Sequence, residues 1–299
     1  MIFCYNRGAL NHSRSLAQVH AATLLFGLAG LFAKWLALSP FLIVLGRVVF
    51  ASLALALIIP AAGGRFSLRR KIDAGLFLLQ GLILAVHWVL FFQSIKVSSV
   101  AVGLLSYSSF PVFTAFLEPL FFRTRISRLH VGMSLVCLAG VFLIVPSPAW
   151  SDRIFQGVLY GLGSGVTFAL LSIFNRKLSF RYPSPVVAFY QDVSAAFFLL
   201  PFAFLHPLTL SGRDIALLVV LGVFCTAGAH SLFIAGMRHL SAQTASLISA
   251  LEPVYGILFA AAFLGERPAP RTLAGGAIIL AAVVVISLQN LKKLRPRTD

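Results

Sequence analysis

Acidic residues are the scarcest chemistry in this chain. Eight Asp and Glu stand against 24 Lys and Arg, charged residues make up 11% of the sequence, and 59% is hydrophobic. A soluble globular domain is about one quarter charged, so a soluble fold would have too little polar surface here. Cysteine is nearly as sparse. Cys4, Cys137 and Cys225 are the only three. No CxxC pair or Cys/His cluster accompanies them, which excludes a disulfide framework and a metal site of that kind. No Walker A sequence is present, which excludes ATP hydrolysis by a P-loop. Gly163-Ser164-Gly165 has no spacing that would hold a base beside the serine, and no filter-like loop of a channel is found. No apolar stretch with a small-residue cleavage site stands ahead of the first long apolar run, and Lys34 lies near the end of that run. A cleaved secretory signal is therefore not expected.

What is abundant is apolar sequence in runs of about twenty residues, the length a helix needs to cross a bilayer core of ~30 Å. Ten spans are predicted, at 17–38, 40–62, 72–95, 98–122, 128–146, 155–176, 185–206, 213–236, 241–264 and 271–289. Turn signals separate them: Ser39-Pro40, Gly63-Gly64, Pro146 with Pro148, Pro183 with Pro185, His206-Pro207, and Pro268 with Pro270. With the N-terminus in the cytoplasm, seventeen of the 24 basic residues fall on cytoplasmic segments and six on outer ones, while Arg47 lies within a span. That bias predicts both termini inside, in a bacterial-type inner membrane. It also accounts for the net charge of +16 through anionic lipid. The basic run 291–297, LKKLRPR, then needs no nucleic acid.

The chain echoes itself. LSYSSFPVFT (105–114) and LISALEPVYG (247–256) share a leading Leu and a Pro-Val-aromatic run at an offset of 142, and QSIKVSSVAVGLL (93–105) aligns with AGMRHLSAQTASL (235–247) at the same offset. FGLAGLFAK (26–34) likewise matches FALLSIFNR (168–176). The predicted organisation is a cytoplasmic tail (1–16), a first repeat of five spans (17–146), a connecting loop (147–154), a second repeat of five spans (155–289) and a basic cytoplasmic tail (290–299). Five is odd, so the second repeat enters the membrane from the opposite side. Inverted repeats of this kind build secondary transporters, with the substrate site near the midplane.

LISALEPVYGILFAAAFLGERPAPRTLAGGAIILAAVVVIS (247–287) resembles the end of an EamA domain of the drug/metabolite transporter superfamily. The order is Pro253-Val254, an Ala/Leu-rich helix, Gly265-Glu266, a short turn and a last helix with Gly275-Gly276. Arg47 matches an arginine common at that place in the family, and 95–105 and 237–247 look like its short links between third and fourth helices. The resemblance covers about residues 20–290. It implies an all-α integral membrane fold of ten helices in two inverted repeats, and export of amino acids, other metabolites or toxic compounds. FFRTRIS (121–127) stands where a first Gly-Glu would be, so Glu266 has no counterpart.

Ionisable residues inside spans are costly and face a bundle interior or a wet cavity. They are Arg47, His87, Glu118, Asp192, His230 and Glu252. Glu252 lies near the middle of the ninth span, where it binds an amine, carries a proton, or is paired for packing. Its counterpart in the echo is Phe110. His87 beside Trp88 suits an aromatic or zwitterionic ligand, and equally suits a His satisfied by a neighbouring helix. Arg47 binds a carboxylate or anchors carbonyls. Tyr107, Ser108 and Tyr255 complete the candidate substrate or coupling set. His230 is read as a packing residue and Glu118 as interfacial. Asp192 is not expected to pair directly with Arg47. Gln243, Thr244, Ser246 and Ser249 are polar companions on the ninth span. Pro111 and Pro253 are read as helix hinges. Gly157, Gly161 and Gly165 repeat GxxxG on one face of the sixth span for close helix packing.

The expectation is a transporter working by alternating access, without cofactor or metal, exporting small metabolites. Amino acids, aromatic ones among them, lead. Lipophilic cations and a non-transporting membrane sensor or scaffold are the alternatives. Its partners are a small-molecule substrate and the lipid bilayer, and not nucleic acid. The sequence leaves the oligomeric state open.

Overall fold

Within a bilayer every backbone N–H and C=O has to be bonded inside the protein, which leaves helices as the solution for apolar runs of this length. A computed structural model describes residues 2–122, 128–205, 210–237, 239–240, 245, 248–249 and 251–294, and these contain helices and no strand. In chain order they are α1 (Ile2–Ala29), α2 (Phe32–Trp35), α3 (Pro40–Ala61), α4 (Lys71–Val97), α5 (Val100–Tyr107), α6 (Phe110–Phe122), α7 (Arg128–Ile144), α8 (Arg153–Ser179), α9 (Ser184–Ala203) and α10 (Gly212–Gly222). A π-helical turn (Val223–Gly228), α11 (Ala229–Gly236), α12 (Glu252–Leu264) and α13 (Pro270–Leu294) follow.

Among the described residues, seven helical segments are long and apolar enough to cross a membrane. Three shorter apolar helices, Val131–Ile144, Glu252–Leu264 and Pro270–Val285, fall where the fifth, ninth and tenth spans are predicted. Exposed apolar side chains such as Leu57, Phe142 and Phe204 cover the outside, as contact with lipid requires. The breaker signals act as caps. Ser39 Oγ accepts the Leu42 N–H at 3.4 Å with Pro40 in the first turn, and Asp152 Oδ1 accepts from Ile154 and Phe155. Gly265 closes α12 at φ 66°, a left-handed conformation that costs other residues energy.

Helix α1 begins at Ile2, ahead of the first predicted span, and α13 runs on to Leu294, past the end of the tenth. The first span is interrupted between Ala29 and Phe32, and the fourth after Tyr107. Pro111 and Pro253, read from sequence as hinges, each follow a break in the described helices. Each is the second residue of a new helix, α6 and α12, where the missing N–H would have had no intrahelical partner anyway. Gln243, Thr244, Ser246, Arg238, Arg123, Arg125, Arg295, Arg297 and His206-Pro207 lie outside the described residues, as does the side chain of Glu118.

Close approaches set the packing. A Cβ at Gly161 would lie 2.5 Å from Ser106 Cβ, and one at Gly165 3.1 Å from the Tyr107 carbonyl oxygen, while Gly157 meets Ser98. The GxxxG face of α8 therefore seats α5 and the end of α4. A Cβ at Gly27 on α1 would lie 3.0 Å from the Glu252 carbonyl oxygen, so α1 is pressed against the start of α12.

Candidate functional site

Where α1, α3, α4, α5, α8, α11 and α12 meet, they enclose a cavity of about 20 Å³, room for a water rather than a metabolite. Its polar lining is Arg47, His87, Tyr107, His230 and Glu252; Phe26, Ala29, Trp88, Phe91 and Phe168 complete it.

Arg47 is 2% exposed. Its Nε donates to Thr226 Oγ1 at 3.0 Å, Nη2 donates to the Cys225 carbonyl at 3.4 Å, and Thr226 Oγ1 donates to the Leu221 carbonyl at 2.8 Å. The guanidinium carbon lies 3.8 Å from the centroid of the Trp88 ring, a desolvated cation–π contact worth about 2 kcal/mol. The arginine therefore joins α3 to the π-helical turn and to α4. Such turns, with their i→i+5 bonding, concentrate at functional sites.

Glu252 opens α12, where the helix N-terminus favours an acid. It is 4% exposed, and its Oε2 has no hydrogen-bond partner among the described residues. His87 Nδ1 lies 3.0 Å from the Ser164 carbonyl oxygen and 2.9 Å from Ser164 Oγ. Its ring packs at 5.1 Å from Phe168 and 5.5 Å from Tyr107, and Trp88 packs at 5.1 Å from His230. The result is an aromatic box holding one guanidinium, one carboxyl group and two imidazoles.

Five of the seven predicted substrate or coupling residues are brought together here: Arg47, His87, Trp88, Tyr107 and Glu252. Two are not. Ser108 Oγ is spent on the Leu104 carbonyl of its own helix at 2.8 Å. Tyr255 is not among the lining residues; its Cβ faces Gly27 in the α1–α12 contact. His230, read from sequence as packing, lines the cavity, as do Phe26, Ala29, Phe91 and Phe168. Asp192 is buried with neither carboxyl oxygen bonded among the described residues, so it makes no direct pair with Arg47. Glu266 has a role that needs no counterpart: its Oε2 accepts the Val100 N–H at 3.0 Å, at the start of α5.

A second pattern crosses the whole bundle. Asp73, Gln80, His87 and Ser94 repeat at seven-residue intervals along α4, one face over about 30 Å. Each bonds across to α8 or the turn after it. Asp73 Oδ1 pairs with Arg181 at 3.1 Å and Oδ2 accepts from the Tyr182 hydroxyl at 2.7 Å. Gln80 reaches Asn175, His87 reaches Ser164, and Ser94 Oγ donates to the Gly157 carbonyl at 2.6 Å. The Asp73 end is tightened by the Arg69 N–H donating to the Tyr182 oxygen at 2.9 Å. At the other end of α4, Lys34 Nζ donates to the Ser98 carbonyl at 3.1 Å and Lys96 Nζ to that of Leu36 at 2.9 Å. A cleft of about 390 Å³ opens there beside Arg153, Glu266 and Arg267.

The sequence profile of the EamA-like transporter family matches residues 15–145 and again 155–288. This chain belongs to that family. It is an EamA-like transporter and a multi-pass membrane protein. It is 24% identical over 287 residues to an uncharacterized transporter, YxxF, of Bacillus subtilis, covering 94% of this chain and 92% of that one. It is 29% identical over 253 residues to the pseudopaline exporter CntI of Pseudomonas aeruginosa, covering 82% and 85%. An S-adenosylmethionine uptake transporter of Rickettsia felis is 26% identical over 219 residues, covering 73% of each chain. A solved crystal structure superposes with a TM-score of 0.68 at 22% identity, over 95% of this EamA-like chain and 99% of its own, a likeness of fold.

Proposed function

We propose that this EamA-like transporter exports small zwitterionic metabolites, amino acids with aromatic members among them, by alternating access. The observation that carries this reading is the pairing of Arg47 and Glu252 in one aromatic cavity. A guanidinium suits a carboxylate, a free carboxyl oxygen suits an ammonium, and the rings of Trp88, Phe91, Tyr107 and Phe168 suit an apolar or aromatic side chain. A strongly anionic substrate would want several basic residues in the cavity, and Arg47 is the one basic side chain that is not a histidine among its lining.

The mechanism we infer is that of two five-helix repeats of opposite orientation, ten spans in all, in an inner membrane with both termini cytoplasmic. The offset of 142 and the bias of basic residues support it. In such a mechanism, rearrangement of the repeats opens one side at a time. The relatives named above run in both directions, one an exporter and one an uptake transporter. Export is therefore a reading for this chain alone.

Lipophilic cations are the second reading. Glu252 Oε2 is unbonded among the described residues while Arg47 is held by Thr226, Cys225 and Trp88, so a cation meets a free carboxyl group within the rings. Reconstitution into proteoliposomes with a panel of amino acids, and separately with lipophilic cations, each with and without a pH gradient, decides between them. Flux of amino acids alone supports the first reading. Flux of cations alone replaces it with the second, and flux of neither removes both.

A further inference from the structure

The cleft of about 390 Å³ at the end of α4 is a second opening, apart from the aromatic cavity. Small-molecule sites run from about 300 to 1,000 Å³. Its walls are the α4–α5 junction, the start of α8 and the turn between α12 and α13. Val97, in the first of these walls, stands about 15 Å along α4 from His87. Between cleft and cavity, α8 is pressed against α4 and α5 at Gly157 and Gly161.

Charge sets this cleft apart. Arg153 and Arg267 both line it, and both are exposed. Neither guanidinium makes a hydrogen bond or an ion pair among the described residues, where the ion pair found is Asp73–Arg181 at the far end of α4. Arg271, a few residues on, is spent in contrast: its Nε donates to the Leu143 carbonyl at 3.1 Å and its Nη2 to that of Val145 at 2.7 Å. The nearby acids are engaged as well. Glu266 Oε2 accepts the Val100 N–H at 3.0 Å, and Lys34 lies within electrostatic reach of Glu266 and of Arg153. Asp152 Oδ1 accepts from Ile154 and Phe155 at the start of α8. With Glu266 set against Lys34, the two free guanidiniums leave the cleft two positive charges in excess. Ser99 Oγ accepts the Val102 N–H at 3.2 Å, which leaves the proton of that hydroxyl to donate.

We propose that this cleft is a binding site for a phosphate group, held by Arg153 and Arg267 with the Ser99 hydroxyl as a further donor. The guanidinium fork matches phosphate oxygens two at a time. A phosphate monoester carries a charge of about −1.5 to −2 near neutral pH and three acceptor oxygens, which answers two arginines and a hydroxyl. A single carboxylate answers one arginine. A small solute offers this group from the water, and phosphatidic acid offers it from the bilayer surface. Bound there, it ties the start of α8 to the turn ahead of α13.

The test uses the purified full chain in detergent, heated at constant pH and constant ionic strength as sodium phosphate replaces sodium chloride. Inorganic phosphate is the probe, so the outcome does not depend on which metabolite is carried. The expected result is a saturable rise in Tm of ~5 °C, the size a ligand well above its Kd gives a protein of this length. Arg153→Gln and Arg267→Gln should each lose it. Arg213→Gln, at the start of α10 and outside the cleft, should keep it. The general salting effect of phosphate does not saturate and is common to all four proteins. If a glutamine variant does not fold, Arg153→Lys and Arg267→Lys decide, since each keeps the charge without the fork and should need several-fold more phosphate. The series is repeated with phosphatidic acid in the micelles. A rise with free phosphate that needs both arginines assigns the site to a solute, and one that needs them with the lipid alone assigns it to a headgroup. If neither rise depends on Arg153 and Arg267, or if Arg213→Gln abolishes it equally, the proposal is overturned.

Discussion

The Arg47 guanidinium carbon lies over the Trp88 ring, 3.8 Å from its centroid, while its Nε bonds Thr226 in the π-helical turn. One side chain from early in the sequence thereby fixes the position of a segment 179 residues later. Lysine keeps the charge but has neither the planar face nor the fork. Arg47→Lys should lower flux by about tenfold, equivalent to ~1.4 kcal/mol, and lower Tm with it. Thr226→Val should move both in the same direction by less, and Thr226→Ser should match the wild type. An Arg47→Lys protein with unchanged flux would show that only the charge matters.

Glu252 is the carboxyl group of the cavity, and its Oε2 is open among the described residues. If it carries the coupling proton, Glu252→Gln should abolish gradient-driven uptake into proteoliposomes and leave exchange of labelled for unlabelled substrate intact. Driven uptake at the wild-type rate would remove that role.

The clasp of Asp73, Arg181 and Tyr182 shuts one end of the heptad face. Asp73→Asn should break the ion pair and favour opening at that end. The readout is a single cysteine placed at Gln80 in a chain freed of Cys4, Cys137 and Cys225. A membrane-impermeant thiol reagent should modify it several-fold faster when Asp73→Asn is added, in vesicles that expose the clasp side. Equal rates would mean the clasp is not a barrier.

The clasp also has a pH signature. Burial raises the Tyr182 phenol above its ordinary value, and the hydrogen bond to Asp73 adds to the effect. A raised value means the fold holds the neutral phenol. Its contribution to stability is therefore complete below about pH 10 and lost as pH rises through the higher folded value. Thermal unfolding across that range should show an alkaline loss that Tyr182→Phe lacks.

Pro253 stands in the first turn of α12, so Pro253→Ala restores no internal hydrogen bond and should cost under ~1 kcal/mol. A bend inside one continuous helix would respond far more. Gly161→Leu is the contrasting case. Its Cβ alone would stand 2.5 Å from Ser106 Cβ, and overpacking of this sort costs ~1–3 kcal/mol or more. Tm and the yield of folded protein measure both.

The long apolar helices were legible because hydropathy alone sets their length, and Arg47, His87, Trp88, Tyr107 and Glu252 stood out as polar or aromatic groups where lipid tolerates few. Phe26, Phe91 and Phe168 did not stand out, since an apolar ring facing a cavity and one facing lipid read alike in sequence. The seven-residue spacing of Asp73, Gln80, His87 and Ser94 was present in the sequence, and a search for polar residues at heptad intervals along an apolar run would have found it.

His230, read from sequence as packing, lines the cavity beyond a change of helical phase. The turn Val223–Gly228 bonds i→i+5, so it uses about one residue more than an α-helical turn. Everything after Gly228 is set round the axis by about 100° relative to an unbroken helix. A face drawn from Gly212 onward loses its bearing before it reaches His230. The chain thus carries the equivalent of a single-residue insertion, and Arg47 is the bolt that holds it in place. Removing one residue between 223 and 228 would leave every cavity side chain in the sequence and still swing His230 off its mark, an error of frame that no substitution could imitate.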